Sequence, residues 1–172
     1  MVLTDINVIK PLLERHGFRF SKSMGQNFLC AAWVPESTAR QSGADERTGV
    51  LEIGPGIGCL TRQLSELSGK VVSVELDRSL MPVLSETLAG CENVEIVFGD
   101  IMKSDIPGLV GEYLGGFEKR IVCANLPYNI TSPVLTALIE SGCFDTITVM
   151  IQREVARQIG RASCRERVFR AV

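Results

Sequence analysis

The sequence predicts a doubly wound α/β fold, in which a mostly parallel sheet is covered by helices on both faces. Apolar, β-branched runs alternate with amphipathic stretches through the middle of the 172-residue chain. Strands that are apolar along their whole length are typical of parallel sheets buried on both sides. A glycine-rich segment, residues 54–58, directly follows the first apolar run and precedes a helical pattern. This arrangement indicates a ligand-binding turn at the carboxyl end of a strand.

The elements follow one another in a regular order. Predicted strands occupy residues 50–53, 70–75, 94–98, 120–124 and 146–151, and predicted helices occupy residues 58–67, 79–88, about 109–113 and 132–139. Ahead of them, residues 4–16 have a helical pattern that Pro11 is expected to interrupt, and residues 20–29 form a polar loop. Ligands of such sheets gather at the carboxyl ends of the strands.

The composition is that of an ordinary globular protein. Hydrophobic residues make up 45% and charged residues 22% of the chain, which argues against disorder. No apolar run reaches the length of a membrane span, and the start lacks the layout of a signal peptide, so we expect a cytoplasmic protein. Six scattered cysteines and one histidine, without a C-x-x-C pair, argue against a disulfide framework and against a metal site.

The charge distribution leaves the question of RNA contact open. The formal net charge of −2 does not indicate a nucleic-acid-binding protein. Residues 1–30 are more basic than the rest, with four basic side chains (Lys10, Arg15, Arg19, Lys22) against two acidic ones (Asp5, Glu14). An RNA contact and a solvated helix face both explain this basic start.

The end of the chain has an unusual composition. Residues 159–168 read IGRASCRERV, which matches the translation of a sequencing adapter, and they follow neither a clean helical nor a clean strand pattern. We therefore expect residues 159–172 to be a non-native tail.

The glycine turn is the first candidate binding feature. Residues 50–61 read VLEIGPGIGCLT, so Gly54, Gly56 and Gly58 stand between a strand and a helix and allow close backbone approach. A dinucleotide site would show G-x-G-x-x-G, but its sixth position is Cys59. The tighter G-x-G-x-G suits the amino-acid end of S-adenosylmethionine, which carries no phosphate. A plain tight turn is the alternative.

Two acids mark the next strand ends. Glu75 ends the second strand, where a carboxylate can accept both ribose hydroxyls; NAD enzymes use the same device. Asp77 competes for this role and alternatively caps the helix that starts near Ser79. Asp100 follows the third strand and can accept a hydrogen bond from an adenine amino group, while Ile101 packs on the ring. The alternative for Asp100 is a loop-capping aspartate.

The fourth strand is followed by the most specific signal, NLPYNI at residues 125–130. An adenine amine is a poor nucleophile because its lone pair is delocalised into the ring, so an enzyme needs hydrogen-bond acceptors beside it. Asn125 offers a side-chain carbonyl and Leu126 a backbone carbonyl. Pro127 stiffens the turn, and Tyr128 offers a flat face for a splayed-out base. We predict that these four residues carry catalysis, by positioning the groups for in-line displacement without a metal.

These motifs resemble those of a known family. The pattern [NDS]-[LIP]-P-[YFW] marks amino-methyltransferases. The segments KSMGQNFL, EIGPGIGCLT, VELD, GDI, NLPYNITSPV and VMIQREVA resemble the ribosomal RNA adenine dimethyltransferase family over residues 4–158, with its small-subunit branch as the best match. The resemblance implies a Rossmann-like S-adenosylmethionine-dependent methyltransferase fold. It also implies a cofactor site formed by Asn27, Leu29, Gly54, Gly56, Glu75, Leu76, Asp100, Ile101 and Asn125.

The resemblance further implies an activity. Family members transfer methyl groups from S-adenosylmethionine to the N6 amine of two adjacent adenines in a small-subunit ribosomal RNA hairpin. We therefore expect a monomer that acts on small-subunit ribosomal RNA or the immature small subunit. Residues 1–30 would form an N-terminal helix and cofactor-covering loop, and residues 31–158 the catalytic domain. Family members continue past QREVA into a smaller helical domain that helps to hold RNA, so RNA affinity and activity of this chain are in question.

Four alternatives stay open. The large-subunit RNA methyltransferase that confers macrolide resistance shares the pocket, but the flank HGFRFSKSMGQNFL favours the small-subunit enzyme. DNA adenine methyltransferases typically have D-P-P-Y, whereas this chain has Asn125. A catalytically impaired RNA-binding assembly factor would not need the intact motif at residues 125–128. An NAD-binding domain would leave that motif as a plain loop.

Overall fold

The computed structural model describes residues 3–18, 33–126, 129–150 and 169–171. Its helices are α1 (Ile6–Arg15), α2 (Trp33–Gln41), α3 (Cys59–Leu67), α4 (Met81–Thr87), α5 (Ile106–Leu114) and α6 (Thr131–Ser141). Its strands are β1 (Thr48–Ile53), β2 (Lys70–Glu75), β3 (Val94–Phe98), β4 (Lys119–Asn125), β5 (Thr146–Met150) and β6 (Phe169–Ala171). Two short 3-10 turns, Arg78–Leu80 and Ile101–Lys103, follow β2 and β3.

The strands form one sheet in the order β3-β2-β1-β4-β5-β6, and every neighbouring pair is parallel. The chain steps outward from β1 to β2 and β3, then returns to the other side of β1 with β4. Open α/β sheets bind ligands at the point where the strand order reverses. The predicted parallel, doubly wound fold is confirmed.

Both faces of the sheet are covered by helices. On one face, Leu51 of β1 belongs to the same core cluster as Val110 of α5. On the other, Val50 clusters with Leu64 of α3 and Ala39 of α2. Successive side chains of a strand point to opposite faces, so a strand covered on both faces is mostly apolar.

The prediction that Pro11 interrupts the first helix is wrong. Pro11 lies inside α1, which begins after Asp5, whose side chain accepts a hydrogen bond from the Asn7 amide at 2.9 Å. A proline removes one hydrogen-bond donor, at a cost of about 3 kcal/mol in an isolated helix. Burial of Leu12 and Leu13, each 2% exposed, holds α1 against the body and offsets this cost.

The basic residues of α1 that the structure describes have acidic partners. Glu86 on α4 accepts a hydrogen bond from Arg15, and its other oxygen lies 2.6 Å from Nε2 of His16. Lys10 lies 3.9 Å from Glu14 one turn away. These contacts agree with the solvated-face interpretation; Arg19 and Lys22 lie outside the described residues.

Helix α2 was not predicted. Its sequence, WVPESTARQ, has a proline in the first turn, and its good helix formers are concentrated in the last turn, so the local pattern is weak. Thr38 and Ala39 are fully buried where α2 packs against α3. The hydroxyl of Thr38 donates a hydrogen bond to the carbonyl of Val34 at 2.8 Å, so the hydroxyl keeps a partner when it is buried. Tertiary packing therefore stabilises this helix.

The remaining boundaries differ little from the predictions. The helix predicted at 109–113 is longer, because the side chain of Asp105 accepts a hydrogen bond from the Gly108 amide at 3.2 Å and starts α5 at Ile106. The helix predicted at 79–88 begins as the 3-10 turn Arg78–Leu80 and continues as α4.

Strand β6 was also not predicted. It pairs in parallel with β5 and lies within the segment expected to be a non-native tail. The origin of that tail stays a prediction.

None of the helices in the described part of the chain has both the length and the apolar character needed to span a bilayer. Four cysteines fall in described positions, and none of these four forms a disulfide: Cys59, Cys91, Cys123 and Cys143.

Candidate functional site

The candidate site lies at the carboxyl edge of the sheet. Because β3, β2, β1 and β4 are adjacent and parallel, their carboxyl ends meet at one edge. The fold thereby brings together Asp100 after β3, Glu75 at the end of β2, Gly54 after β1 and Asn125 at the end of β4. These four positions were predicted as site residues, and the structure places them on neighbouring strands. Their roles in binding and catalysis stay predictions.

The two ends of the glycine turn have different surroundings. Gly54, Gly56 and Gly58 all have positive φ, at 70°, 59° and 87°. Among the described residues other than its two chain neighbours, no atom lies within 4 Å of the place where a Cβ of Gly54 would stand, so this end of the turn is open in the described part. A Cβ at Gly58 would lie 2.9 Å from the Leu88 side chain. Gly54 therefore leaves room for a ligand, whereas Gly58 allows α3 to pack closely on α4.

The turn is supported from behind by the N-terminal segment. Ile57, 1% exposed, clusters with Leu12 and Leu13 of α1. The thiol of Cys59 donates a hydrogen bond to the carbonyl of Leu3 at 3.0 Å. The side chains of the turn are therefore fixed by α1, which leaves its backbone facing the sheet edge.

Glu75 is the best-defined acceptor of the site. It is 6% exposed, and its two carboxylate oxygens accept hydrogen bonds from the amides of Gly56 at 3.3 Å and Asp77 at 2.8 Å. Burial raises the pKa of the Glu75 carboxyl, and the hydrogen bonds from Asp77 and Gly56 partly offset that rise. Each oxygen has a second acceptor position, so the carboxylate can still receive ribose hydroxyls.

Asp77 has the capping role that the sequence left as an alternative. Its side chain accepts hydrogen bonds from the amide of Ser79 at 3.0 Å and from the Ser79 hydroxyl at 2.5 Å. It is the N-cap of the 3-10 turn Arg78–Leu80. Of the two acids, Glu75 is the one joined to the glycine turn.

Asp100 caps the 3-10 turn that follows β3. Its Oδ1 accepts a hydrogen bond from the Met102 amide at 3.0 Å, and its Oδ2 lies 3.6 Å from the ammonium of Lys103. The capping alternative is therefore present in the structure. It does not exclude adenine recognition, because carboxylate oxygens accept more than one hydrogen bond.

Of the two apolar residues predicted for the cofactor site after β2 and β3, Leu76 is exposed and Ile101 is buried. Ile101 is only 6% exposed and belongs to the core cluster, so it forms part of the floor below the site. Leu76 is 61% exposed and Met102 is 42% exposed. The sequence analysis did not single out Met102, although large exposed apolar side chains beside a ligand site are typical of ring-binding surfaces.

The catalytic motif is described in part. Asn125 is half-buried at the end of β4, where it pairs with Met150 of β5. The side chain of Leu126 is 3% exposed in the core, which anchors the chain where it leaves the sheet. Pro127 and Tyr128 lie outside the described residues, as do Asn27 and Leu29.

Comparison with known proteins decides the family. The family described as "Ribosomal RNA adenine dimethylase" matches residues 17–167. The chain belongs to this family.

Two bacterial relatives of the chain have the same name. The chain is 46% identical over 149 residues to ribosomal RNA small subunit methyltransferase A of Shouchella clausii, covering 86% of this chain and 50% of the relative. It is 44% identical over 151 residues to the protein of the same name from Ligilactobacillus salivarius, covering 87% and 51%. The chain spans about half the length of these relatives.

A solved structure supports the fold. The crystal structure of 23S rRNA methyltransferase ErmE superposes with a TM-score of 0.66 at 32% identity, covering 76% of this chain and 50% of that chain. The predicted family and the Rossmann-like methyltransferase fold are confirmed.

One buried charged residue, Glu52, was not among the predicted site residues. Glu52 is the next-to-last residue of β1 and is 1% exposed. The hydroxyl of Ser73 donates a hydrogen bond to its Oε2 at 2.6 Å. Burial raises the pKa of the Glu52 carboxyl to about 7. The signal was available, because Glu52 is the one charged residue in the otherwise apolar run VLEI.

The described part of this family member holds no metal cluster: among those residues, no group of three or more His, Cys, Asp or Glu side chains is placed to bind a metal ion.

Proposed function

We propose that this chain binds S-adenosylmethionine at the carboxyl edge of the sheet and transfers its methyl group to the N6 amine of two adjacent adenines in small-subunit ribosomal RNA. The observation that carries the proposal is the hydrogen bond from the Gly56 amide to Glu75, which joins the glycine turn and the ribose-type acceptor in one site. Membership of the ribosomal RNA adenine dimethylase family supports the same chemistry.

The residues at the edge fit the proposed cofactor. A ribose diol requires a paired acceptor, which the Glu75 carboxylate supplies, and an adenine amine requires an acceptor such as Asp100. The exposed side chains of Leu76 and Met102 suit the apolar faces of a purine ring. The open space beside Gly54 suits close approach of the amino-acid end.

Electrostatics favour this cofactor over a dinucleotide. Glu75, Asp77 and Asp100 place three carboxylates at the ends of β2 and β3. A positively charged sulfonium is attracted by such a cluster, whereas the pyrophosphate of NAD is repelled by it. The NAD alternative is therefore disfavoured by charge as well as by the glycine spacing.

Residues of the chain are proposed to position the adenine that accepts the methyl group. When bound, S-adenosylmethionine supplies an activated methyl group. Asn125 and the backbone carbonyl of Leu126 are proposed to accept hydrogen bonds from the adenine amine, and burial of the Leu126 side chain holds that carbonyl in place. We propose that Pro127 stiffens this loop and that Tyr128 stacks on the base.

Two further regions have proposed roles, the N-terminal segment of this chain and the part of the relatives that the chain does not match. Asn27 and Leu29 are proposed to contact the cofactor from the loop within residues 1–30, while residues 31–158 form the catalytic domain. The chain spans about half of its relatives' length, so we propose that the remaining half contributes RNA affinity. We propose that the protein acts as a cytoplasmic monomer, on small-subunit ribosomal RNA or the immature small subunit.

A large-subunit substrate, linked to macrolide resistance, is the second candidate. It is favoured by the similarity to ErmE, a 23S rRNA methyltransferase. The two curated relatives, at 46% and 44% identity, are both named as small-subunit enzymes. The greater sequence identity favours the small-subunit substrate.

The cofactor half of the proposal is tested by isothermal titration of S-adenosylmethionine into the purified chain. We expect saturable binding that the Glu75→Gln substitution weakens and that the Glu95→Gln substitution, on the exposed face of β3, leaves unchanged. A cooperatively melting chain that does not bind the cofactor would contradict the proposed site.

The substrate half is tested by transfer of labelled methyl groups to separated small- and large-subunit ribosomal RNA, with Asn125→Ala as the inactive control. Label on small-subunit adenines supports the first candidate, and label on large-subunit adenines supports the second. Label on neither RNA by a chain that binds the cofactor contradicts catalysis by this chain alone.

A further inference from the structure

A row of polar side chains crosses the centre of the sheet. Glu52 of β1 pairs with Ser73 of β2 on one side and with Cys123 of β4 on the other, and Cys123 pairs with Thr148 of β5. All four are 0–1% exposed. They share the face of Val50, which packs on α3, because alternate residues of a strand point the same way. A buried row of this composition is costly, since each polar group loses its water.

This polar row lies directly beneath the candidate site. Two residues further along three of the strands stand Glu75, Gly54 and Asn125. Two residues of a strand span about 7 Å, so the polar row is separated from the site by one repeat of the pleat.

The polar row offers the Glu52 carboxyl too few hydrogen-bond donors. Ser73 donates one short hydrogen bond to its carboxyl. The buried hydroxyl of Thr61 on α3 acts to lower the pKa of Glu52. It makes no hydrogen bond of ordinary geometry with any described residue. The Thr148 hydroxyl is likewise unpaired within the described residues. One good donor is too few to stabilise a fully buried carboxylate.

Among the described residues, few charged or titratable groups act on the Glu52 carboxyl. Burial raises the pKa of the carboxyl to about 7, Ser73 and Thr61 oppose the rise, and the charge of Glu75 adds to it. The pKa of the Cys123 thiol is raised by its own burial and by Glu52, so the thiol is neutral. Among the described residues, no cation is found to act on the carboxyl. Small changes of charge at the edge above therefore decide whether Glu52 is protonated.

We propose that Glu52 is a positioning residue that releases its proton when S-adenosylmethionine binds at the edge above it. This inference rests on the proposed function. Burial is the main cause that keeps Glu52 neutral, and the charge of Glu75 adds to it. The sulfonium brings a positive charge close to Glu75 and so removes part of this added repulsion. The proton passes to the bulk buffer, and no other bond changes. Ionised Glu52 then accepts a stronger hydrogen bond from Ser73, which tightens β1 against β2 below the turn.

The sign of the pH effect follows from linkage. A ligand that favours the ionised form of Glu52 binds more tightly as the pH rises through the pKa of that group. If the bound cation lowers this pKa by about one unit, the affinity rises about fivefold between pH 6 and pH 8. The α-amino group of the ligand also titrates, near pH 7.7–8.0. Its contribution is the same for every variant, so the inference is tested by the difference in the pH dependence of affinity between variants.

The test is isothermal titration of S-adenosylmethionine at pH 6, 7 and 8, in two buffers of different ionisation enthalpy. Glu52→Gln keeps the shape and an acceptor for Ser73 but has no proton to lose. Glu66→Gln makes the same change on the exposed surface of α3 and serves as the control. We expect wild type and control to release a fraction of a proton at pH 7 and to gain about fivefold more affinity with rising pH than Glu52→Gln.

The outcomes separate the inference from the function on which it rests. Equal proton release and equal pH dependence in wild type and Glu52→Gln overturn the inference. Absence of cofactor binding by the folded wild type overturns the proposed function instead. If Glu52→Gln fails to fold, the wild type is titrated with S-adenosylhomocysteine, whose sulfur is neutral. Less proton release with that ligand supports the inference, and the same release with both ligands overturns it.

Discussion

The Oε2 atom of Glu75 accepts a hydrogen bond from the backbone amide of Gly56 at 3.3 Å. This contact joins the end of β2 to the turn that follows β1, across two adjacent parallel strands. It explains why the acid and the glycines act as one unit although 19 residues separate them. A change in the charge of Glu75 therefore alters the strength of the hydrogen bond that Gly56 of the turn donates to it.

The first prediction concerns Glu75 itself. Glu75→Gln removes the charge but keeps the size of the side chain. Because hydrogen bonds to charged groups contribute about 1.5–3 kcal/mol, we expect a loss of cofactor affinity of about 10–100-fold. Isothermal titration measures the loss. Glu95→Gln is the matched control, and an unchanged affinity in Glu75→Gln would rule out the ribose role.

The second prediction separates the glycines of the turn. Gly58→Ala is expected to cost about 2–5 kcal/mol of unfolding free energy, because overpacking by a Cβ 2.9 Å from the Leu88 side chain adds to the backbone strain at a φ of 87°. Gly54→Ala, with φ 70° and open space around its Cβ, is expected to cost only the backbone strain of about 1–2 kcal/mol.

Cofactor binding should show the reverse order. Gly54→Ala fills the open space at the edge, so we expect it to weaken binding more than Gly58→Ala does. Urea unfolding and titration of both variants check the pair. A Gly54→Ala chain that binds as tightly as wild type would show that the ligand does not approach this position.

The third prediction separates the two roles of Asp100. Asp100→Ala removes the cap of the 3-10 turn and is expected to cost about 1 kcal/mol of stability. Asp100→Ser keeps a capping oxygen but is too short to reach a base, so its stability should stay near that of wild type. We expect both variants to bind the cofactor more weakly. Full binding by Asp100→Ser would assign Asp100 to capping alone.

The fourth prediction concerns stability and pH. The pKa of Glu52 is about 7 in the folded chain and 4.5 in its unperturbed state, so folding favours the protonated form. Its contribution is fully present below pH 4.5 and is lost as the pH rises through 7. The shift corresponds to a loss of about 3 kcal/mol at most.

Urea unfolding at pH 5 and pH 8 measures this loss. We expect Glu52→Gln to gain stability relative to wild type on going from pH 5 to pH 8, because glutamine cannot ionise. Glu66→Gln on the exposed face of α3 should follow wild type at both pH values. A constant difference between Glu52→Gln and wild type would show that Glu52 does not titrate in this range.

The sequence alone determined the elements whose signal is local. Strands β2 and β3 have the predicted bounds because a continuous apolar run depends only on its own residues. The glycine turn and the acids at the next two strand ends were also located in advance, since the carboxyl ends of parallel strands must meet at one edge. Helix α2 was missed, because its local pattern is weak and burial of Thr38 and Ala39 against α3 stabilises it.

Tertiary structure decided how the site residues are used. The sequence left Asp77 and Asp100 each with two roles, and only the cap hydrogen bonds to Ser79 and Met102 assign their positions. It likewise did not single out Glu52, whose partners are Ser73 and Cys123 on other strands. Which residues face each other across a sheet depends on strand order and register, and these are fixed by the packing of the whole core rather than by any local pattern.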